Sequence, residues 1–164
     1  MTKIAVYPGS FDPVTYGHLD IIKRGLQIFD GLTIAVLNNP LKKTLFSTAD
    51  RVKMLQAVVA NMPRVEVTSF DGLLVDFVTG RKAKVVIRGL RAVSDFEYEL
   101  QMALMNRKLA KTVDTIFLMP AEPYTYLSSS LVKEIVSRGG RAAKFVPPLV
   151  EQELRRKFSL TKKR

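Results

Sequence analysis

The sequence predicts an α/β fold in which a five-stranded parallel sheet, ordered 3-2-1-4-5, is covered by helices on both faces as a doubly wound single domain. Three observations predict it. Short β-type runs alternate with helical patterns along the chain, which is the signature of a βαβ series. No internal repeat, low-complexity segment or Gly-, Ser- or Pro-rich linker interrupts that series. The 164 residues, 47% of them hydrophobic, are enough for one core and too few for a second catalytic domain.

The elements follow in order. Ile4-Ala5-Val6-Tyr7 is a buried-strand pattern over 3–7, and Pro8 through Tyr16 cannot continue either regular structure. Leu19, Ile22, Leu26 and Phe29 then recur at helical spacing and predict a helix over 17–29. Further strands are predicted over 32–38, 65–70, 84–88 and 114–119, with helices over 48–61, 73–80, 94–110, 130–138 and 148–158. Ser47 with Asp50, and Ser94 with Glu97, have the spacing of capping boxes, and Gly139-Gly140 is a helix stop. The 94–110 helix carries Phe96, Leu100, Ala103, Leu104 and Leu109, an apolar face whose default role is core. The result is a Rossmann-like sheet with strands 1 and 4 adjacent at the switch point.

Composition narrows the partners. Lys and Arg total 26 against 15 Asp and Glu, a formal charge of +11, which favours anionic ligands: nucleotides, phosphorylated metabolites or nucleic acid. The basic tail from Arg155 to Arg164 reads as a solvated helix face and frayed end. A nucleic-acid module would interleave stacking aromatics with its cations, and this tail offers only Phe158, so no nucleic acid is expected. No stretch approaches the roughly 20 apolar residues that span a bilayer, and the N-terminus lacks a signal-peptide pattern. The cytoplasm is therefore the expected location, with no membrane partner. With no Cys and one His, thiolate chemistry and any two-His metal site are excluded. A metal would be a hard one, most simply magnesium carried on phosphates.

Ligands in such sheets bind beyond the carboxyl ends of the strands, and the polar motifs fall there. After strand 1 comes Gly9-Ser10-Phe11-Asp12-Pro13-Val14-Thr15-Tyr16-Gly17-His18, which sets the one histidine in the first turn of a helix, where free N–H groups and the dipole attract anions. Gly9 and Gly17 leave room for a flat ligand near the backbone. Lys42 lies in the loop after strand 2, Arg88-Gly89-Leu90-Arg91 follow strand 4, and Ser128-Ser129-Ser130 open a helix after strand 5. Asp12 reads as a cap for the turn before Pro13 and Asp95 as an arginine partner or helix start. Neither GxxxxGK[ST] nor GxGxxG is present, which argues against a P-loop kinase and a dinucleotide oxidoreductase.

The string Gly9 to His18, ending in Thr15-Tyr16-Gly17-His18, resembles the (T/H)xGH signature of the nucleotidyltransferase superfamily. Together with Arg88-Gly89-Leu90-Arg91-Ala92-Val93-Ser94-Asp95-Phe96-Glu97-Tyr98-Glu99, Met105-Asn106 and Tyr126 to Glu134, it is similar to the bacterial phosphopantetheine adenylyltransferase family. The resemblance implies transfer of the adenylyl group of ATP to 4′-phosphopantetheine, with no covalent intermediate. It implies that His18 stabilises the transition state, and that Lys42 and Arg88 act with it and bind the acceptor phosphate. Ser10 and Phe11 would contact ATP, Ser10 also reaching the acceptor, and Leu74 would line the pantetheine arm. Gly17, Gly89, Leu90, Arg91, Glu99, Tyr124, Thr125, Tyr126, Leu127, Ser128, Ser129 and Ser130 would complete the ATP site. Magnesium as cofactor, a homohexamer and feedback binding of coenzyme A are implied likewise. The alternatives are a related adenylyl- or cytidylyltransferase for nicotinate mononucleotide or glycerol phosphate and, more distantly, a basic nucleic-acid-binding protein.

Overall fold

The computed structural model describes residues 3–39, 43–91 and 93–161, with side chains described for all of these but 93–95, 160 and 161. Five parallel strands, β1 (Ile4–Gly9), β2 (Gly31–Leu37), β3 (Val65–Phe70), β4 (Val85–Gly89) and β5 (Asp114–Leu118), form one sheet in the order β3-β2-β1-β4-β5. The helices are α1 (Tyr16–Ile28), α2 (Thr48–Val58), α3 (Leu74–Gly80), α4 (Val93–Leu109), α5 (Ser129–Ser137) and α6 (Pro148–Thr161). The predicted class and strand order are both observed.

Strand alternation divides the core in two. Ala5, Tyr7, Leu32, Ile34, Val36 and Ile87 face one way, under α1, α2, α5 and α6, in a large cluster that includes Ile22, Leu55, Val132 and Leu154. Val6, Ala35 and Val86 face the other way and pack with Phe70, Val78 and Val113 in a smaller one. With helices on both faces, the central strands carry apolar residues at consecutive positions, and β2 is buried from Gly31 to Val36.

The structure corrects several local expectations. β1 runs on through Pro8 and Gly9, paired with Ala35 and Val36 of β2. Proline is tolerated because its β4 side is not laddered: β1 pairs with β4 only at Ala5 and Val6. Ser47 does cap α2, accepting from the Asp50 amide at 3.1 Å, but the Asp50 carboxylate accepts from the Ser47 hydroxyl itself. α4 starts at Val93, so Ser94 lies inside its first turn and is no N-cap; the side chain of Asp95 lies outside the described residues. α5 ends at Ser137, with Gly139 beyond it at φ 87°, the left-handed conformation that suits glycine. α6 extends to Thr161; along it Arg156 pairs with Glu153, and the Lys157 ammonium sits 6.0 Å from the Phe46 ring centroid.

The largest correction concerns α4. Phe96, Leu100, Leu104 and Leu109 are exposed in the chain, Leu104 at 56%. The helix lies beside β5 and α3 at the sheet's outer margin, where too little apolar surface is available to cover its face.

Candidate active site

A crevice of about 430 Å³ opens at the carboxyl ends of β1 and β4, the predicted switch point. Its walls come from the β1 turn, the start of α1, the end of β4, α4, and the loop that leads into α5.

The β1 turn is compact. Phe11 adopts φ 47°, unusual for a residue with a side chain, and its buried ring lies edge-on to both Tyr7 (5.3 Å between centroids) and His18 (5.0 Å). A side chain at Gly9 would meet the Phe11 ring at 2.9 Å. Gly9 thus makes room for Phe11 and also lines the crevice itself. The Asp12-Pro13 peptide is cis.

His18 is the third residue of α1 and completes a capping box with Thr15. The Thr15 hydroxyl accepts from the His18 amide at 3.4 Å, and the Thr15 amide donates to His18 Nδ1 at 3.0 Å. Because Nδ1 accepts a backbone N–H, the neutral ring carries its proton on Nε2. Burial lowers the histidine's pKa to about 4, helped by the positive charges of Arg91 and Arg88. At neutral pH the crevice therefore contains an uncharged imidazole with its tautomer set.

Arg88 closes the opposite wall. Its fork donates to both carboxylate oxygens of Glu99, at 2.7 and 2.5 Å, and to the carbonyl of Pro8 at 2.9 Å. That carbonyl is the one left open where β1 and β4 part. Burial opposes the Arg88 charge, but the hydrogen bonds and attraction of Glu99 outweigh it, and the guanidinium pKa is raised. Burial pushes the Tyr7 phenol up, with the two arginines opposing, so Tyr7 stays protonated on the crevice floor. Arg91 donates to the Leu127 carbonyl at 3.2 Å. Ser128 caps α5 by accepting from the Leu131 amide at 3.1 Å, and the Ser129 hydroxyl donates to the Pro13 carbonyl at 2.7 Å.

Of the residues predicted from sequence, Ser10, Phe11, Gly17, His18, Arg88, Gly89, Arg91, Glu99, Tyr124, Leu127, Ser128, Ser129 and Ser130 line this one crevice. Lys42 lies outside the described residues. Four others do not line the crevice. Leu90 is part-buried, its amide donating to the Leu118 carbonyl, while Thr125 and Tyr126 are exposed on the outer side of the turn before α5. Leu74 opens α3 beyond β3, two strands away from β1, and packs on the smaller core cluster.

Asp12 is not the local turn cap expected for it. It is 4% exposed and accepts from the amides of Leu45 and Phe46, both at 2.9 Å, and from Lys133 Nζ at 2.7 Å. Burial alone would raise its pKa; Lys133 and the two amides reverse this, and the net direction is down. With Glu99 held by Arg88, both crevice carboxylates are already engaged by cations. Among the described residues, no cluster of three or more acidic or histidine side chains could hold a metal.

Sequence reasoning missed Thr15, Lys133 and Arg51. Thr15 has a legible signal, a threonine three residues before a residue that can bond back to it. Lys133 follows Ser129 by four and Ser130 by three residues and so shares their helix face. Arg51, 2% exposed, donates to the carbonyls of Ser10 (2.6 Å) and Leu37 (3.1 Å) and to the Thr48 hydroxyl (2.8 Å). Its signal is a cation on the same helix face as the buried Met54 and Leu55.

The cytidylyltransferase-like family model matches residues 6–135, the segment that builds most of the crevice. A phosphopantetheine adenylyltransferase of Geobacter sulfurreducens is 59% identical over 158 residues, covering 96% of each chain. The chain belongs to the phosphopantetheine adenylyltransferase family. It is also 57% identical over 156 residues to the family member of Caldanaerobacter subterraneus, covering 95% of this chain and 98% of that one. The fold extends to more distant nucleotidyltransferases: nicotinic acid mononucleotide adenylyltransferase of Plasmodium falciparum superposes with a TM-score of 0.68 at 14% identity, over 99% of this chain and 97% of that chain. Phosphopantetheine adenylyltransferases are nucleotidyltransferases, and this chain is an enzyme of that class.

Proposed function

We propose that the protein transfers the adenylyl group of ATP to 4′-phosphopantetheine, giving dephospho-coenzyme A and pyrophosphate, the penultimate step of coenzyme A synthesis. The observation that carries this reading is the neutral His18 with Nδ1 occupied, set in the same crevice as Arg88, Arg91 and the α5 N-terminus. A terminal phosphate oxygen of the acceptor attacks the α-phosphorus of ATP in line, and the bond from that phosphorus to the departing pyrophosphate breaks. The acceptor phosphate enters ionised, so no protein base is needed. Catalysis is placement plus stabilisation of charge on the equatorial oxygens. His18 serves as a hydrogen-bond donor through Nε2 and neither gains nor loses a proton. Arg88, held in plane by Glu99 and Pro8, binds the acceptor phosphate together with Lys42. Arg91, the α5 N-terminus and Ser128 to Ser130 take the polyphosphate.

Magnesium travels with ATP on its phosphates: Asp12 and Glu99 are already paired with Lys133 and Arg88, which suits a metal held by substrate oxygens and water. The exposed apolar residues of α4 support assembly with further copies of the chain, in keeping with the expected hexamer. Among the described residues no helix is long and apolar enough to cross a membrane. A cytoplasmic location and feedback binding of coenzyme A belong to this reading through the family resemblance.

The test is pyrophosphate release by the purified protein with ATP, magnesium and one of three acceptors. Turnover is expected with 4′-phosphopantetheine and not with nicotinate mononucleotide or glycerol 3-phosphate. Turnover with either of the latter two alone would overturn the substrate.

A further inference from the structure

The Asp12 carboxylate joins three segments that share no secondary structure. It sits in the β1 turn, accepts two consecutive amides of the segment before α2, and pairs with Lys133 in the second turn of α5. A carboxylate has about four acceptor sites, and three are filled here by donors from 33 to 121 residues away. The contacts around it repeat the same linkage. Ser129, on the helix face of Lys133, donates to the Pro13 carbonyl, so α5 grips the turn at two adjacent residues. Arg51 grips it from α2, bonding the carbonyls of Ser10 in the turn and Leu37 at the end of β2. Within the proposed mechanism α5 carries the nucleotide side, and the segment before α2 follows in sequence on Lys42, the residue proposed for the acceptor phosphate. We infer that Asp12 is a positioning residue that, with Lys133, holds these two sides in one register against the β1 turn, aligning the acceptor phosphate with the α-phosphorus.

The physical reason is stiffness at a polar joint. Charge-assisted hydrogen bonds are shorter and stronger than neutral ones, and a buried carboxylate with three donors has little freedom to rotate. In Asp12→Asn one oxygen becomes an NH2 that must face either an amide N–H or an ammonium, so at least one of the three contacts is lost. In Lys133→Met the chain length is kept, while Asp12 loses its counter-ion. Both side chains line the crevice but are engaged with each other and, for Asp12, with two amides, so the loss should appear in alignment.

The inference rests on the adenylyl-transfer reading, and two measurements keep the two separable: steady-state kinetics of the full-length protein, and hydrogen exchange at the amides of Leu45 and Phe46. Asp12→Asn and Lys133→Met should each lower kcat by roughly 10–100-fold while both KM values stay within about threefold, as expected for misalignment without lost binding. The double variant should be no slower than the slower single one, and Lys133→Arg should recover most of the activity. Lys133→Met should also speed exchange at Leu45 and Phe46, which Lys133 does not itself hold. Unchanged kcat with only a lower melting temperature would reduce the joint to a structural role and overturn the inference, as would fully additive losses. A rise in KM for ATP alone in Lys133→Met, with Asp12→Asn silent, would make Lys133 a direct phosphate contact and overturn it too. A wild type inactive toward 4′-phosphopantetheine would defeat the function reading, leaving the exchange data to decide the joint. If Asp12→Asn does not fold, the partly exposed Lys133 variants carry the test.

Discussion

Helices α1 and α4 both supply the crevice, yet they are held in opposite ways. α1 buries Leu19, Ile21, Ile22 and Gly25 and presents His18 from its first turn. α4 is longer and just as rich in apolar residues, but Phe96, Leu100, Met102, Leu104, Met105 and Leu109 are exposed, and its crevice residues are Tyr98 and Glu99. The difference follows from position over the sheet. α1 lies against β2, β4 and β5, so apolar side chains meet its whole inner face. α4 packs chiefly at the margin, against β5 and α3. The donor that must be placed most accurately stands on the helix that the chain itself immobilises. The carboxylate that orients Arg88 stands on the helix whose apolar face the chain leaves uncovered, and the Arg88–Glu99 pair ties that helix to the site.

The largest effect should come from removing the donor on the fixed helix. His18→Ala should lower turnover by at least ~10²–10³, the scale of other preorganised donors, with nucleotide binding retained in calorimetry. A loss below tenfold would show that placement on α1 matters little.

Packing of the two helices can be contrasted directly by chemical denaturation at low protein concentration. Ile22→Ala, at a fully buried position, should cost about 2–5 kcal/mol. Leu104→Ala, on the exposed face of α4, should stay within about 0.5 kcal/mol. Equal costs would mean that α4 is anchored as firmly as α1.

A smaller change is expected from Glu99→Gln, which keeps the shape but removes the charge that holds the Arg88 fork. It should lower kcat/KM on the order of tenfold, since a modest misplacement of a positioning group is costly. An unchanged KM for the acceptor together with an unchanged kcat would separate Arg88 orientation from catalysis.

The subtlest reading is titration of His18, which as the chain's one histidine gives an unambiguous imidazole signal in NMR. The free protein should show the Nε2–H tautomer and a midpoint near 4, against an ordinary value of 6.5. Above pH 6.5 the ring is neutral in both folded and unfolded chains. Between 6.5 and about 4 only the unfolded chain takes up the proton, so the protein loses stability from this group as pH falls through that window and nothing further below it. A midpoint at 6 to 7 would overturn the proposed neutral donor.

Much of this molecule was legible in the chain. The alternation of apolar periods specifies the strands and helices to within a few residues, and the crossover rule then leaves few strand orders. Residues whose neighbours in sequence are also their neighbours in space were placed at the site from the motif alone, as with Phe11, Gly17 and His18, which line the crevice. Contacts that span the fold were not legible. Asp12 looked like a local cap because its true partners are Leu45, Phe46 and Lys133, and the bond from Arg88 to Glu99 went unread because nothing near Glu99 in sequence announces it. Thr125 and Tyr126 sit inside a motif that is otherwise in the crevice, and only the path of the turn turns them outward.

By itself the sequence determined the α/β class, the sheet order, the gathering of cations and hydroxyls at the strand ends, and the resemblance that names the chemistry, because each depends on local period or on contiguous residues. The tertiary structure alone decided the tautomer and charge of His18, the pairing of Arg88 with Glu99, the joint at Asp12 and the exposed face of α4. Those depend on which distant groups come within hydrogen-bonding distance and on where each helix lies over the sheet, and neither is carried by any short stretch of the chain.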